Sequence, residues 1–307
     1  YTKDGTTLRD GSYIVECGDR FKVIDYYDLF NVRTDQYGNT RAESLALEER
    51  VTSAIQYVTA EELPVVYLLE GHMEQSLPYD LRKKMELENY EIKNLSLLTE
   101  DEVPSDAAIL MIIAPQRDMT DEEEEKIRKY LDNKGRAIFL MDIVEADMPN
   151  FDALFKSYGI ALNKALTIEG DRNHYFQNPT WLVPEMISHM IISPMKVNKM
   201  QVLTLGAQGI DILDMKKRSI EIEPLLVTSD SAWGRTDYTS TAPEKEEGDI
   251  DGPFNIAVAI ADKTWDEKIG KYHETKLVVA GDAEFIDSRF ASIGNADFIL
   301  NSLNWLQ

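Results

Sequence analysis

The hydrophobic and polar positions of the chain change period near residue 43. Residues 8–24 alternate apolar and polar side chains around turn signals, which predicts a small β-meander. Over residues 43–58 the apolar side chains recur at helical spacing, which predicts an amphipathic helix, and Pro64 follows it. We therefore expect two domains: a meander plus helix over residues 1–62, and a larger domain over residues 63–307.

The larger domain begins with strand-like runs that alternate with helical ones. The runs 65–69, 107–114 and 137–141 are almost wholly apolar, as is typical of strands buried on both faces. Thr120 and Glu123 form the capping-box pattern that starts the clearest helix. Because parallel strands need crossover helices, the pattern predicts an α/β fold with a mostly parallel sheet and helices on both faces.

The pattern in the rest of the chain is less regular. Four further strand-like runs lie at 201–205, 220–227, 254–261 and 276–280. Helical patterns cover 181–190 and 296–306. Residues 228–253 are polar, acidic and rich in Gly, Ser and Thr, which favours a mobile surface loop; a lid or a partner-binding loop is the alternative.

Composition narrows the classes of function. The 307 residues carry a formal net charge of −23, which disfavours binding to nucleic acid and equally to anionic lipid head groups. The one cysteine, Cys17, excludes an internal disulfide and a cysteine-based zinc cluster. The longest wholly apolar run, 107–114, is far shorter than the roughly 20 residues of a transmembrane helix.

Polar residues follow several of the predicted strands. In open α/β sheets ligands bind beyond the carboxyl ends of the strands. The candidate ligand-binding residues at these ends are Glu70, Gly71, His72, Glu74, Pro115, Gln116, Asp142, Gly281, Asp282 and Glu284. Such glycines allow close backbone approach, histidine titrates near neutrality, and carboxylates bind cations or sugar hydroxyls. The alternative is that these residues form turns and cap the following helices.

Common catalytic signatures are absent from the sequence. It contains no Gly-x-Ser-x-Gly elbow, no Gly-x-x-x-x-Gly-Lys loop, no His-Glu-x-x-His and no Gly-x-Gly-x-x-Gly. We therefore expect no catalytic residue, no cofactor and no bound metal. A pair of carboxylates for glycoside hydrolysis stays open, because such a pair needs closeness in space rather than in sequence.

Seven blocks along the chain, at 21–25, 54–59, 66–74, 112–116, 130–135, 278–285 and 301–306, can be considered together. In their order and residues they resemble the extracytoplasmic region of one known group, the GldG-like (gliding-motility-type) auxiliary components of ABC transport systems. The blocks include Val-Tyr-Leu-Leu-Glu-Gly-His-Met-Glu at 66–74, Ile-Ile-Ala-Pro-Gln at 112–116 and Val-Val-Ala-Gly-Asp-Ala-Glu-Phe at 278–285. The resemblance covers nearly the whole chain, with the blocks in the expected order.

The resemblance implies a fold similar to class I glutamine amidotransferases, held outside the cytoplasmic membrane by flanking transmembrane helices. It implies ABC permease and ATPase subunits as partners. Amidotransferase activity is not expected, because no nucleophilic cysteine follows the corresponding strand. The group often has Gly-His-Gly-Glu where this chain has Gly71-His72-Met73-Glu74. The loss of the second glycine makes a backbone-lined anion site less favourable, whereas His72 and Glu74 still allow a polar binding role.

Three functions remain open. The leading one is a non-catalytic extracytoplasmic domain that binds a transported substrate, an envelope glycan or a protein partner. The second is a hydrolase of glycans or peptides that uses the strand-end carboxylates as acid and base. The third is a structural spacer whose acidic surface keeps it soluble.

Overall fold

The structure, a computed structural model, describes residues 8–34, 40–240, 242, 244–266, 270–290 and 294–307. The described residues divide into two compact units. One unit comprises those of Tyr1–Val65 and Arg82–Glu91, and the other comprises those of Val66–Leu81 and Ile92–Gln307.

The described part of the first unit is built mainly from two pairs of antiparallel strands and a 13-residue helix. Its elements are β1 (Tyr13–Cys17), β2 (Arg20–Ile24), β3 (Phe30–Thr34), β4 (Thr40–Leu45) and α1 (Leu47–Thr59). β1 pairs with β2 and β3 with β4, both antiparallel. Buried Ile24, Leu29 and Ala54 form its apolar cluster, so the helical period predicted for 43–58 buries one face of α1.

The second unit is built around one large sheet. The strands, of which β5 and β6 begin in the first unit, are β5 (Val65–Leu69), β6 (Glu91–Leu95), β7 (Ala107–Ile113), β8 (Arg136–Leu140), β9 (Ile160–Ile168), β10 (Trp181–Leu182), β11 (Glu185–Met186), β12 (Thr204–Leu205), β13 (Gln208–Ile212), β14 (Ile220–Val227), β15 (Trp233–Arg235), β16 (Ile250–Asp251), β17 (Asn255–Asp266) and β18 (Lys271–Ala280). The helices are α3 (Asp121–Asp132), α4 (Pro149–Ser157), α5 (Ser193–Val197) and α6 (Asn295–Leu306), and α2 (Tyr79–Leu87) is divided between the units.

The strand order explains how the polar strand ends meet. The order is β16-β15-β9-β13-β17-β18-β8-β7-β5-β6, with β14 also paired to β17 and β11 to β14. β18, β8 and β7 run parallel, and β17 joins β18 as a long antiparallel hairpin. The predicted α/β fold is confirmed. The antiparallel strands were not predicted. β17 and β18 are antiparallel because the short connection between them can close a hairpin but not a parallel crossover.

Two predicted segments differ from the structure. The helix predicted for 181–190 is wrong: the segment holds the two short strands β10 and β11. Pro184 lies between them, and proline disfavours a helix interior. The acidic segment 228–253 contains β15 and β16, and its buried Arg235 donates hydrogen bonds to the Asp249 carboxylate and to two loop carbonyl oxygens. Composition had not distinguished this arginine from an exposed one.

The apolar centre of the second unit fixes the strand ends. β7 and β8 bury almost every side chain, and Phe139 packs edge-on against Phe155 of α4. Beyond the strands, the Ala114 N–H donates to Leu140 O at 2.7 Å and the Met141 N–H donates to Ala280 O at 2.8 Å. The segments that follow β5, β7, β8 and β18 therefore share one edge of the sheet, which we call the carboxyl edge. Among the described residues, no helix is both long and apolar enough to cross a membrane.

Candidate functional site

The first polar cluster of the carboxyl edge surrounds His72. This residue is 3% exposed, and its ring lies between two carboxylates. Nδ1 lies 2.9 Å from Glu74 Oε1, and Nε2 lies 3.2 Å from Glu123 Oε2 at the start of α3. Both ring nitrogens therefore have a partner, and neither is open to a ligand. We call His72, Glu74 and Glu123 the His72 cluster.

Backbone groups complete the His72 cluster. Glu74 Oε2 accepts hydrogen bonds from the N–H groups of Gly71 (3.0 Å) and His72 (2.8 Å). The His72 carbonyl oxygen accepts the Gln116 N–H at 2.8 Å, which joins the segment after β5 to the segment after β7. Gly71 has a φ of 133°, a conformation that side chains of L residues rarely adopt. The cluster thus fastens two strand-end loops together.

Glu123 has two roles. It forms the capping box of α3, accepting the Thr120 N–H at 2.9 Å and the Thr120 hydroxyl at 2.8 Å on Oε2, the oxygen that also faces His72. The sequence identified this capping box but did not connect it to His72. A glutamate in the capping box of a helix, together with a histidine that follows a buried strand, is the pattern that could have predicted this contact.

The electrostatics favour a charged His72. The hydrogen bond with Glu74 raises the pKa of His72, burial opposes this, and Glu123 adds to the increase. Burial works against ionisation of Glu74, yet the hydrogen bonds from His72 and the backbone outweigh it and lower the pKa of Glu74. The pKa of Glu123 is lowered in the same way, by Thr120 and His72 against burial. We infer an imidazolium held between two carboxylates.

The second polar cluster, which we call the Asp282 cluster, consists of Asp142, Gln208, Gly281 and Asp282. Asp282 is 1% exposed, and its oxygens accept the N–H groups of Leu205 (2.7 Å) and Glu284 (2.8 Å). Asp142 accepts the Ala283 N–H at 2.7 Å. These two carboxyl groups therefore also hold loops in place.

Among the described residues, no cationic side chain forms an ion pair with Asp142 or Asp282 that would offset burial. Burial raises the pKa of Asp282 well above its usual range, and the negative charge of Asp142 adds to the effect. The pKa of Asp142 is raised chiefly by burial and also by Glu284, against the hydrogen bond from Ala283. The cluster consequently favours a protonated, neutral Asp282.

Gly281 and Gln208 join the Asp282 cluster to the antiparallel strands. A Cβ at Gly281 would lie 2.1 Å from Gln208 O, so only glycine fits there. The Gln208 N–H donates to Gly281 O at 2.8 Å, and Gln208 Nε2 donates to Asp142 O at 2.9 Å. Gln208 is not among the residues predicted from the sequence, because its strand β13 starts after an irregular stretch.

The remaining candidates take no part in either network of side chains. Glu70 and Glu284 have exposed side chains, and Pro115 is buried beside the end of β7. The Gln116 side chain is exposed and donates to Ala114 O at 3.0 Å, while its backbone N–H belongs to the His72 cluster. The carboxyl edge thus unites the predicted strand ends in two hydrogen-bonded clusters.

An open groove of about 570 Å³ lies beside the His72 cluster. It is lined by the first turn of α3, including Asp121, Glu122 and Glu123, together with Leu97, Leu98 and Lys126. Carboxylates beside an exposed leucine offer acceptors for hydroxyl or ammonium groups next to an apolar surface. Within the described part of the chain, no group of three or more His, Cys, Asp or Glu side chains is arranged to hold a metal ion.

Solved structures show what the fold is similar to. The structure titled "mmIFT52 N-terminal domain" matches with a TM-score of 0.54 and 16% identity, over 79% of this chain and 96% of that one. PurLQS from Thermotoga maritima matches with a TM-score of 0.39 and 10% identity, over 80% and 100% of the two chains. A putative GMP synthase component from Thermoplasma acidophilum matches with a TM-score of 0.41 and 11% identity, over 80% and 96%. At these identities the likeness concerns the fold alone.

Sequence comparison identifies the family. A search of curated proteins found no match. A family model described as "ABC-type uncharacterized transport system" matches residues 63–302, which include both clusters of the carboxyl edge. The chain therefore belongs to this family of auxiliary components of ABC-type transport systems.

Proposed function

We propose that this chain is a non-catalytic, GldG-like binding domain of the transport system. In this proposal it lies on the extracytoplasmic face of the cell membrane, anchored by helices outside this segment. It acts with the permease and ATPase subunits and binds a substrate, an envelope glycan or a protein partner. The observation that carries the non-catalytic role is the closed geometry of His72, whose two ring nitrogens both face carboxylates.

The closed geometry leaves no free proton-transfer group in the His72 cluster. A general base must be within hydrogen-bond reach of the proton it removes. His72 is buried and lies between Glu74 and Glu123, so a substrate would have to displace a carboxylate to reach it. Displacement would also leave buried charge without a partner, which costs about 3–5 kcal/mol. The cluster is therefore suited to holding the loops that border the groove.

Ligand binding is assigned to the groove beside α3. Its acidic first turn can accept hydrogen bonds from sugar hydroxyls or ammonium groups, and Leu98 is exposed next to it. We expect a glycan or a cationic ligand to raise the melting temperature of the native chain, and the double variant Asp121→Asn, Glu122→Gln to remove that increase. Asp230→Asn, an exposed acid outside the groove, is the control. If none of the glycans and cationic ligands tested gives a saturable increase in melting temperature, the spacer hypothesis replaces ligand binding.

A hydrolase is the second candidate, because one observation favours it. The raised pKa values of Asp142 and Asp282 are what a general acid of a glycoside hydrolase requires. Against this, both oxygens of Asp282 accept backbone hydrogen bonds in a fully buried position. Asp282 is therefore closed to a substrate. Asp142, which is only partly buried, would have to act as the general acid without Asp282.

Turnover assays separate the two candidates. The purified chain is incubated with ester, amide, glycoside and phosphate substrates, alongside the variants Asp142→Asn and His72→Gln. We expect no turnover above the uncatalysed rate in any of them. Robust turnover that Asp142→Asn abolishes, with circular dichroism showing a folded variant, would overturn the non-catalytic role.

Location requires an experiment on the full-length parent protein. Membranes are fractionated, and intact spheroplasts are treated with protease and probed for this domain. The proposal predicts membrane association and cleavage from outside. A protein that stays in the soluble cytoplasmic fraction would contradict the proposed location and the GldG-like assignment together.

A further inference from the structure

One oxygen of Glu123 takes no part in the His72 cluster. Oε2 makes the bonds that join Glu123 to Thr120 and to His72. Oε1 is buried, and among the described residues it has no hydrogen-bond partner. The Glu123 side chain is 2% exposed, and Glu123 is one of the residues that line the groove beside α3. The groove therefore borders a buried carboxylate oxygen that the described part of the chain leaves unsatisfied.

A buried acceptor in this position favours a ligand that brings a donor. Burial of a polar atom without a hydrogen bond costs free energy, and the cost is larger for a charged group than for a neutral one. An N–H or O–H group that enters from the groove would recover this cost. Because Oε1 is buried, the group that reaches it must also be narrow. A hydroxyl or an ammonium at the end of an unbranched chain meets both conditions.

Charge at the groove favours an ammonium over a hydroxyl. Three of the side chains that line it are acidic, Asp121, Glu122 and Glu123, and one is basic, Lys126. At physiological ionic strength charges are screened beyond about 8 Å, so the nearest groups determine which ligand is attracted. The lining of the groove thus carries an excess of negative charge.

Cations in the neighbouring segments do not cancel this excess. His72 has Glu74 as its second partner, 2.9 Å away, on the other side of the ring from α3. Arg128 forms an ion pair with Glu124 one turn before it on α3. Arg117 is exposed in the segment after β7 and is not one of the residues that line the groove. A ligand in the groove therefore meets mainly carboxylates.

Lys126 shows how an ammonium group is held in this groove. Its Nζ donates to Leu97 O at 2.9 Å and to Glu100 O at 3.0 Å. It also lies 3.1 Å from Glu122 Oε1. Three acceptors match the three N–H donors of an ammonium, so Lys126 has no donor left for Glu123 Oε1. The ammonium of the groove itself is satisfied, whereas the buried acceptor is not.

The carboxylates also favour an ammonium over a guanidinium. A guanidinium binds best to both oxygens of one carboxylate. One oxygen of each acid in the groove is already engaged: Asp121 Oδ1 accepts Asn150 Nδ2 at 3.1 Å, Glu122 Oε1 faces Lys126, and Glu123 Oε2 belongs to the His72 cluster. Single oxygens suit a compact ammonium, which donates to several acceptors in different directions.

The apolar side of the groove suits an aliphatic chain. Leu97 and Leu98 line it, and Leu98 is 59% exposed. The methylene groups of an alkyl amine can lie along an apolar surface while the ammonium contacts polar groups. The groove thus matches both parts of such a ligand.

We propose that the groove beside α3 binds a primary ammonium group on an aliphatic chain, the chemistry shared by a free alkyl diamine and a lysine side chain. In the complex the ammonium donates to Glu123 Oε1 and to the Glu122 carboxylate, and the chain lies on Leu98. This inference rests on the proposed ligand-binding role of the groove. It specifies the class of ligand, where the proposed function allows glycans as well as cations.

Calorimetric titration of the unsubstituted chain compares ligands that differ in one group. Cadaverine, aminopentanol and pentanediol have the same number of carbon atoms and carry two, one and no ammonium groups. We expect cadaverine and aminopentanol to bind about tenfold more tightly than pentanediol, an increase that ion pairs with partly exposed carboxylates can supply. The preference should shrink as salt is added. Comparison of cadaverine with acetyl-lysine amide then distinguishes a free diamine from a lysine side chain.

Charge variants locate the binding to the groove. Asp121→Asn with Glu122→Gln should remove most of the preference for ammonium ligands. Asp230→Asn with Glu247→Gln changes the net charge equally at two exposed positions outside the groove and should bind like the unsubstituted chain. Circular dichroism checks that both double variants are folded. Equal losses in the two double variants would show that total charge, and not the groove, attracts the ligand.

NMR of the side-chain carboxyl carbons tests the contact with Glu123. The Glu123 signal is assigned by its loss in Glu123→Gln, and we expect it to shift as cadaverine saturates the unsubstituted chain. Saturable binding without that shift would contradict the contact with Oε1.

The outcomes separate this inference from the proposed function. If a neutral glycan raises the melting temperature, the Asp121→Asn, Glu122→Gln variant removes that increase, and cadaverine does not bind, the groove is a ligand site but the ammonium assignment is wrong. Equal affinity for cadaverine and pentanediol would also overturn the ammonium assignment. If neither glycans nor ammonium ligands bind, the inference and the ligand-binding role fail together.

Discussion

His72 and Asp282 are both buried titratable side chains at the carboxyl edge of one sheet, yet their surroundings favour the charged form of one and the neutral form of the other. His72 has two carboxylates and gains a raised pKa that favours its charged form. Asp282 has backbone donors but another carboxyl nearby, and its raised pKa favours its neutral form. The difference shows that partners, more than depth of burial, determine the charge state.

The largest expected effect concerns the backbone contact beneath the Asp282 cluster. A methyl group at Gly281 would collide with a backbone carbonyl and break two hydrogen bonds, so Gly281→Ala should lower the free energy of unfolding by about 4 kcal/mol or prevent folding. In the His72 cluster, Gly71→Ala meets only the flexible Leu98 side chain and an unfavourable φ, at about 1–2 kcal/mol. Urea unfolding of both variants checks the order. Equal losses would contradict it.

The next effect concerns the charged pairs of the His72 cluster. Glu74→Ala leaves two backbone N–H groups and the His72 ring without their acceptor, and should cost about 3 kcal/mol. Glu74→Gln keeps one acceptor and should cost less while lowering the pKa of His72. Glu122→Gln, at an exposed position on α3, should change stability by less than about 0.5 kcal/mol. A Glu74→Ala variant as stable as Glu122→Gln would show that the cluster is not held together by these bonds.

A smaller effect should appear in the pH dependence of Asp282→Asn. The unfolded pKa of aspartate is about 3.9, and the folded pKa of Asp282 is raised. As pH rises from about 4 toward the folded pKa, the unsubstituted chain loses stability and the variant does not. The reason is that residue 282 ionises freely only in the unfolded state of the unsubstituted chain. The stability advantage of the unsubstituted chain over the variant should therefore shrink between pH 4.5 and pH 8. Urea unfolding at both values measures it; a constant advantage would contradict a raised pKa.

The sequence predicted the parts of the fold that depend on local pattern. Apolar runs located β5, β7 and β8, and the capping box located the start of α3. The antiparallel β13 was not predicted, because its pairing with β9 and β17 depends on contacts distant in sequence. The same holds for the buried Arg235, whose polar neighbours suggest an exposed loop.

The sequence selected some of the residues in the two clusters but did not predict their arrangement. His72, Glu74 and Asp282 were selected because they follow strands, and the structure brings each into a hydrogen-bonded cluster. Glu123 and Gln208 were missed as site residues, because their roles depend on which strand or helix lies beside them. Whether these residues bind a ligand stays a prediction.

Titration of His72 by NMR, with the signal assigned by its loss in His72→Gln, tests the charged His72 cluster most directly. An imidazolium between Glu74 and Glu123 predicts a pKa above the usual value of about 6.5 for His72. A pKa below that value is predicted for His189, which burial affects most strongly, so the two histidines should move in opposite directions. The charged His72 contributes stability below its unfolded pKa, and that contribution is lost as pH rises through the folded pKa. A His72 that titrates at or below the position of His189 would contradict the imidazolium held between Glu74 and Glu123, and with it the closed, non-catalytic carboxyl edge.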